Sequence, residues 1–149
     1  MDQSIHNGIV SFIWGLADYV LRDIYVRGKY RDVILPMTVI RRLDCLLEPT
    51  KAAVLKENDF YENMEISDKS GLTEFTKYPF YNTSGFTLKK LLDEPRSIKE
   101  NLIDYLNGFS DNVQEIINKF KFRNQLETLL EHNHLYALIQ KFNVLLVCR

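Results

Sequence analysis

The sequence lacks the residue patterns on which common enzyme sites and membrane anchors depend. Its six glycines form no G-x-G pair and no phosphate-binding P-loop. His132 and His134 flank an asparagine, but zinc needs three or four ligands, and no cysteine or acidic cluster accompanies them in the sequence. We therefore interpret 132–134 as a polar turn between helices, and no metal is expected. No apolar run approaches the roughly 18 residues of a membrane span, so no membrane partner is expected either.

Cysteine and net charge are also scarce. The only two cysteines, Cys45 and Cys148, form no disulfide framework, and a packing or incidental role is favoured for Cys45 over a reactive one. No signal-peptide pattern is visible, so the expected location is a reducing cytoplasm. The formal net charge of −1 gives no global electrostatic argument for binding nucleic acid.

The remaining composition is that of one folded domain. Hydrophobic residues make up 46% of the 149 positions, and they include nine Phe and eight Tyr residues. A chain of this length buries roughly 68–70% of the surface that it exposes when unfolded. A mainly disordered chain is therefore excluded.

The stretch 33–48 predicts a core helix. At roughly 100° per residue, its apolar residues cover one broad arc, formed by Val33, Leu35, Met37, Val39, Ile40, Leu43, Leu46 and Leu47. The opposite strip carries the polar residues together with two apolar ones: Ile34, Thr38, Arg41, Arg42, Asp44, Cys45 and Glu48. An arc this wide predicts neighbours on several sides of the helix, with the strip left for water or a ligand.

Helical spacing recurs on both sides of this stretch. A first helix is predicted within 5–24, and Thr50 is expected to cap a short third helix that ends at Lys56. Ser97 begins a capping box, and Gly108 is expected to end that helix in the left-handed conformation. The later helices have predicted buried positions at Val113, Ile116, Ile117, Phe120, Leu126, Leu129, Leu130, Leu135, Leu138, Ile139 and Phe142. The predicted fold is all-α, a compact domain of about six to eight helices.

Residues 57–86 show no sustained period and predict a long, ordered, aromatic loop with one turn of helix near Leu72 to Thr76. Within this loop, Asn82 and Ser84 offer side-chain donors that suit phosphate or base-edge contacts, or docking on another protein domain. The alternative is that Asn82 and Ser84 form local turns. The sequence does not decide between these two interpretations.

Positive charge concentrates in one segment of this near-neutral chain. Between residues 22 and 56, eight Lys and Arg residues accompany four acidic ones. Such asymmetry is typical of a phosphate-facing surface, and the candidates for DNA contact are Arg27, Lys29, Arg31, Arg41 and Arg42. It is also common on amphipathic helices, where Arg41 would simply pair with Asp44. Lys89, Lys90 and the 119–123 group are weaker candidates, since such charges are usually solvated.

Four ordered stretches carry a resemblance to a known family. They are FIWGLADYVLRD (12–23), YRDVILPMTVIRRLDCLLEPTKAAV (30–54), YNTSGFTLKKLL (81–92) and NLIDYLNGFSDNVQEIINKFKF (101–122). In this order and spacing they resemble the N-terminal helical domain of the modification (M) subunit of type I restriction–modification DNA methyltransferases. The resemblance implies a helical N-terminal domain over 1–143, followed by a divergent or truncated end at 144–149.

The resemblance also implies that this chain is not itself an enzyme. The family methylates the N6 of adenine with S-adenosylmethionine, through a following domain with a glycine-rich turn and an Asn/Asp-Pro-Pro-aromatic motif. Neither occurs here, because none of the four prolines adjoins another proline or follows Asn or Asp. No cofactor is therefore expected in this chain.

The partners that the resemblance implies are DNA, the specificity (S) subunit, a second M subunit and the endonuclease (R) subunits. In the family the helical domain closes over DNA against its partner, so the predicted function is DNA clamping and subunit assembly. The alternative is a helical protein-interaction module that makes no contact with DNA.

Overall fold

The computed structural model describes residues 3–4, 7–8, 10–11, 31–131 and 134–144. From residue 31 onward the α-helices are α1 (Arg31–Leu47), α2 (Lys51–Asn63), α3 (Thr73–Thr76), α4 (Ile98–Asn107), α5 (Asp111–Lys119), α6 (Arg123–Glu131) and α7 (Leu135–Asn143). Short 3-10 turns occupy Glu48–Thr50, Ser70–Leu72, Lys90–Asp93 and Pro95–Ser97. Within these ranges no strand forms, and pairing is limited to one isolated antiparallel bridge between Asn82 and Phe109. The prediction of an all-α fold is confirmed. Most of the first helix predicted within 5–24, the middle of the predicted turn at 132–133, and the chain end at 145–149 lie outside the described residues.

One hydrophobic core joins α1 to α4 and α7. Helix α1 packs against α7, and α4 packs against both α7 and the turn Lys90–Asp93. Its fully buried side chains include Met37, Ile40, Leu91, Leu102, Leu106, Phe122, Leu138, Ile139 and Phe142. Burial stabilises the fold by about 1.5–3 kcal/mol for each such side chain. This core fixes the relative positions of α1, α4 and the segment before residue 93.

The buried face of α1 is rotated from the predicted one. Val33, Met37 and Ile40 are buried as predicted, but Leu35 is 50% exposed. Ile34 and Cys45, which were assigned to the polar strip, are buried instead. The prediction for these three residues was wrong because Asp44, a charged residue, belongs to the buried face, and grouping it with the polar residues shifted the apolar arc.

The predicted loop at 57–86 begins later than expected. Helix α2 continues to Asn63 instead of ending at Lys56, so only the part from residue 64 onward is irregular, and Thr73–Thr76 supplies the predicted turn of helix. Pro49 has no N–H for an α-helical hydrogen bond, and the 3-10 turn Glu48–Thr50 connects α1 directly to α2. The Thr50 hydroxyl donates back to Leu47 O at 3.4 Å and does not cap α2, so that predicted cap is wrong.

The later helices follow the predicted spacing with local differences. Most of the predicted buried positions are buried, but Ile116 and Leu130 are exposed. Helix α4 begins after Ser97 as predicted, yet the Ser97 side chain makes no capping hydrogen bond. Gly108 ends α4 in the right-handed region, at φ −75°, so the predicted left-handed stop is wrong.

Candidate functional site

Asp44 lies in the middle of the buried face of α1, about 20° from Val33 on a helical wheel. Its residue exposure is 8%. Oδ1 accepts the Tyr105 hydroxyl at 2.9 Å and the Leu88 backbone N–H at 3.3 Å, and Oδ2 accepts Arg41 Nη1 at 3.4 Å. Burial raises the pKa of Asp44, while these donors act in the opposite direction. The carboxylate therefore ties α1 to α4 and to the chain at residue 88.

Lys51, in the first turn of α2, lies beside this carboxylate. Its Nζ donates to Asn82 Oδ1 at 3.1 Å and lies 5.8 Å from the centroid of the Tyr105 ring. Burial lowers the pKa of Lys51 to about 8, although the negative charge of Asp44 favours the protonated form. Burial and the nearby Asp44 raise the pKa of Tyr105 well above its usual value, so its hydroxyl stays a donor. The charge of Lys51 therefore changes within the neutral to mildly alkaline range.

The chain from residue 81 is hydrogen-bonded to the residues that follow α4. The Thr83 N–H donates to Gly108 O at 2.8 Å, and the Ser110 N–H donates to Tyr81 O at 2.9 Å. A Cβ added at Gly108 would lie 2.6 Å from the backbone nitrogen of Ser84. Glycine is therefore needed at 108 for a close approach of two backbone segments and not for a left-handed turn.

Asn82 and Ser84, the two loop residues predicted to contact DNA, are both buried. Asn82 Nδ2 donates to Tyr105 O at 2.9 Å, and its Oδ1 also accepts the Ser84 N–H at 2.7 Å. The Ser84 hydroxyl donates to Asp104 Oδ2 at 2.8 Å and accepts the Phe86 N–H at 3.1 Å. The Asn82–Ser84 and Ser84–Phe86 bonds are local turns of the kind that the alternative interpretation describes, whereas the other two bonds join this segment to α4. Contact of either side chain with DNA stays a prediction.

An open groove adjoins this buried network, between α1, α2 and the segment 87–93. Its volume is about 680 Å³. The charged residues that line it are four cations and three acids: Arg41, Lys51, Lys89 and Lys90 with Asp44, Glu48 and Asp93. Lys89 and Lys90 are exposed, as are the acidic Glu48 and Asp93, whereas Asp44 is buried and hydrogen-bonded to Arg41. The exposed positive charge of the groove therefore comes from the two adjacent lysines, and two exposed carboxylates lie on the same groove.

The structure brings only some of the predicted basic residues to this groove. Arg27 and Lys29 lie outside the described residues, and Arg31 begins α1 with a side chain that is also outside them. The Arg41 side chain is 12% exposed and pairs with Asp44, the alternative that the sequence left open. Arg42 is half-buried and does not line the groove.

Arg41 and Asn143 connect the groove to the end of α7. Arg41 Nη2 donates to Asn143 O at 3.1 Å, and Asn143 Nδ2 donates to Leu88 O at 2.9 Å. Sequence reasoning missed Tyr105 and Asn143, whose partners lie 61 and 55 positions away in the chain. It also missed the buried role of Asp44, although a charged residue inside an apolar arc was a usable signal.

Several other sequence-based expectations concern metals, thiols and membranes. Searching the described ranges finds no group of three His, Cys, Asp or Glu side chains that could hold a metal ion. Cys45 is buried and is not a free cysteine, which agrees with the packing role favoured from the sequence and not with a reactive thiol. None of the helices in the described ranges is long and apolar enough to cross a membrane.

Comparison with known proteins agrees with the resemblance of the four sequence stretches. A family model described as the HsdM N-terminal domain matches residues 9–142, about nine-tenths of the chain. Comparisons with curated proteins and with solved structures find no match. The matched range includes the network around Asp44 and almost the whole lining of the groove. The chain therefore belongs to the family of HsdM N-terminal domains, the non-catalytic N-terminal part of the methyltransferase (M) subunit of type I restriction–modification systems.

Proposed function

We propose that this domain helps a cytoplasmic type I complex to hold DNA while another domain of the M subunit methylates the N6 of adenine. In this proposal S-adenosylmethionine binds that other domain and the S subunit recognises the DNA sequence. A second M subunit and the R subunits complete the assembly. Membership of the family supports the place of the domain in the complex, and the exposed Lys89 and Lys90 of the groove support its contact with DNA.

The observation that carries the proposal is the pair of exposed lysines at the groove. Lys89 and Lys90 are adjacent, and Lys51 lies on the same groove. The ion pairs found within the described ranges, Arg41–Asp44, Lys69–Glu62 and Lys99–Glu127, involve neither Lys89 nor Lys90. Lysines available in this way bind phosphate and release the counterions condensed on DNA. We therefore assign the phosphate contacts of the groove to Lys89 and Lys90.

Arg41 has a supporting role in this proposal. Its guanidinium is largely buried and hydrogen-bonded to Asp44 and to the backbone of Asn143. Moving it onto a phosphate would leave the buried Asp44 carboxylate with one donor fewer, which costs about 1–3 kcal/mol. Arg41 therefore positions α1 against α7, and its direct contact with DNA, like that of Arg42, stays a prediction.

The mechanism is positional. Methylation of a base inside a duplex requires that the base leaves the stack, which costs a few kcal/mol. Phosphate contacts made only when the domain has closed over DNA offset part of this cost, because they stabilise the closed complex. The groove residues need no chemistry of their own for this role.

The proposal is tested by the salt dependence of DNA binding in the assembled M–S complex. Lys89→Ala with Lys90→Ala removes two candidate phosphate contacts, so the slope of log K against log salt should become shallower by about 1.8. The control is Lys77→Ala with Lys141→Ala, which removes two exposed lysines that do not line the groove. If both double variants behave like the unaltered complex, the groove does not contact DNA.

The same measurement distinguishes the alternative, a module that binds only protein. Such a module would show no change in the salt slope with either pair of variants. The exposed apolar side chains between residues 60 and 78 favour protein contact as an additional function, at a different surface.

A further inference from the structure

Exposed apolar side chains are concentrated in one segment of the molecule. Ten large hydrophobic residues are exposed in the part of the chain that the structure describes, and five of them lie between residues 60 and 78: Phe60, Met64, Ile66, Phe75 and Tyr78. Phe60 is 51% exposed and Met64 is 61% exposed. Single exposed hydrophobic residues are ordinary, whereas a concentration of them marks an interaction site. We refer to these five residues as the apolar surface.

The apolar surface belongs to elements that contact one another. The Met64 N–H donates to Phe60 O at 3.0 Å, which places the two side chains one turn apart at the end of α2. The Ile66 N–H returns to Tyr61 O at 2.8 Å, and the Tyr61 hydroxyl lies against Gly71. Helix α2 also packs on α3, which carries Phe75. The elements that carry Phe60, Met64, Ile66 and Phe75 are therefore neighbours in the fold, and Tyr78 follows α3 by two residues.

Negative charge is concentrated in the same segment as the apolar surface, and we call its exposed acidic side chains the acidic rim. Residues 56–78 contain six acidic residues and three lysines, a net charge of −3, so the remainder of the chain carries +2 to give the total of −1. Lys69 is paired with Glu62 within the segment. Five of the acidic side chains are exposed: Asp59, Glu62, Glu65, Asp68 and Glu74. A surface of this sign repels phosphate.

The combination of exposed apolar area and negative charge indicates which kind of partner this surface would bind. A second copy docked through the same surface would bring two acidic rims together, and like charges disfavour such a contact. A segment with Lys or Arg around an apolar face satisfies both features at once, since it buries the apolar side chains and neutralises the rim.

We infer that the apolar surface docks a basic amphipathic helix of a different protein chain. The inference extends the assembly part of the proposed function. It is independent of the contacts that Lys89 and Lys90 make with DNA, because neither lysine belongs to the apolar surface.

The test uses the full chain and a labelled probe peptide of about five helical turns, with leucine and lysine at helical spacing. Its counterpart has glutamate in place of every lysine. Fluorescence anisotropy should show binding of the basic peptide and none of the acidic one. Phe60→Ser with Met64→Ser, which removes apolar contacts, should weaken binding about tenfold or more. Asp59→Lys with Glu65→Lys, which reverses two rim charges, should weaken it to a similar extent.

The control is Ile116→Ser with Leu130→Ser, which removes two exposed hydrophobic side chains away from this segment. The control should bind the basic peptide as the unaltered chain does. Equal weakening by the control or equal binding of the acidic peptide would overturn the inference. So would sedimentation showing a dimer that Phe60→Ser with Met64→Ser abolishes. The charge-reversal pair keeps the test decisive if the serine pair does not fold. Failure here with an intact effect of Lys89 and Lys90 on DNA binding would leave the proposed function standing.

Discussion

Replacement of Lys51 by methionine tests how strongly burial acts on the ammonium group beside Asp44. Methionine keeps an unbranched side chain and removes the charge. Burial lowers the pKa of Lys51 from 10.5 to about 8, so the unfolded chain binds the proton more tightly than the folded one. The contribution of Lys51 to stability is therefore fully present above pH 10.5 and is lost as the pH falls through about 8.

The expected size of this effect follows from proton linkage. A tenfold difference in proton affinity corresponds to about 1.4 kcal/mol. Between about pH 7.5 and about pH 9.5, the free energy of unfolding of the unaltered chain should rise by about 2 kcal/mol relative to Lys51→Met. Comparing the two proteins at each pH removes the contributions of groups that they share, including Tyr105.

Urea unfolding at three pH values across this range provides the measurement. Lys56→Met is the matched control, because Lys56 lies on the same helix and is exposed. Its free energy of unfolding should run parallel to that of the unaltered chain. A difference between Lys51→Met and the unaltered chain that stays constant within about 0.5 kcal/mol, the usual size of a surface effect, would refute the argument from burial.

Two further predictions concern the buried network and the close approach at residue 108. Tyr105→Phe removes the hydroxyl that donates to the buried carboxylate of Asp44. The free energy of unfolding measured in urea should therefore fall by about 1.5–3 kcal/mol. A loss below about 0.5 kcal/mol would contradict the role of this hydrogen bond. Gly108→Ala places a Cβ 2.6 Å from the backbone nitrogen of Ser84. This substitution should lower the free energy of unfolding by about 1–3 kcal/mol. Gly85→Ala is its control, because a Cβ there meets nothing within 4 Å; equal effects of the two alanines would show that crowding is not the cause.

The helices could be predicted from the sequence where the signal is local and repeats. Val33, Met37 and Ile40 recur at helical spacing and are all buried, and the same holds for Leu135, Leu138 and Phe142 in α7. Each of these positions requires only that a helix turns an apolar face to the core. The exposed position of Leu35 could not be predicted in this way, because the exact rotation of the buried face depends on the neighbours of the helix.

The site depends on contacts that no local pattern contains. Lys51 and Asn82 meet across 31 positions, and Asp44 meets Tyr105 across 61. Both contacts follow from the packing of α4 against the rest of the core. The polar character of Asp44 and Asn82 predicted contact with water or a ligand. Both side chains are buried instead, and their hydrogen-bond partners are groups of the protein itself. Lys89 and Lys90, by contrast, are usually interpreted from sequence as solvated charges. Only the structure shows that both line the same groove.

The small net charge is a poor argument against contact with nucleic acid in this molecule. The acidic segment 56–78 carries −3 and the remainder carries +2, so the total conceals a separation of charge along the chain. Helix α2 connects the two regions, with Lys51 at its start and Asn63 at its end, a separation of about 18 Å. At physiological ionic strength exposed charges are screened over about 8 Å. The acidic rim at the far end of α2 therefore lies beyond the screening length from Lys51, and the net charge of the whole chain describes neither region.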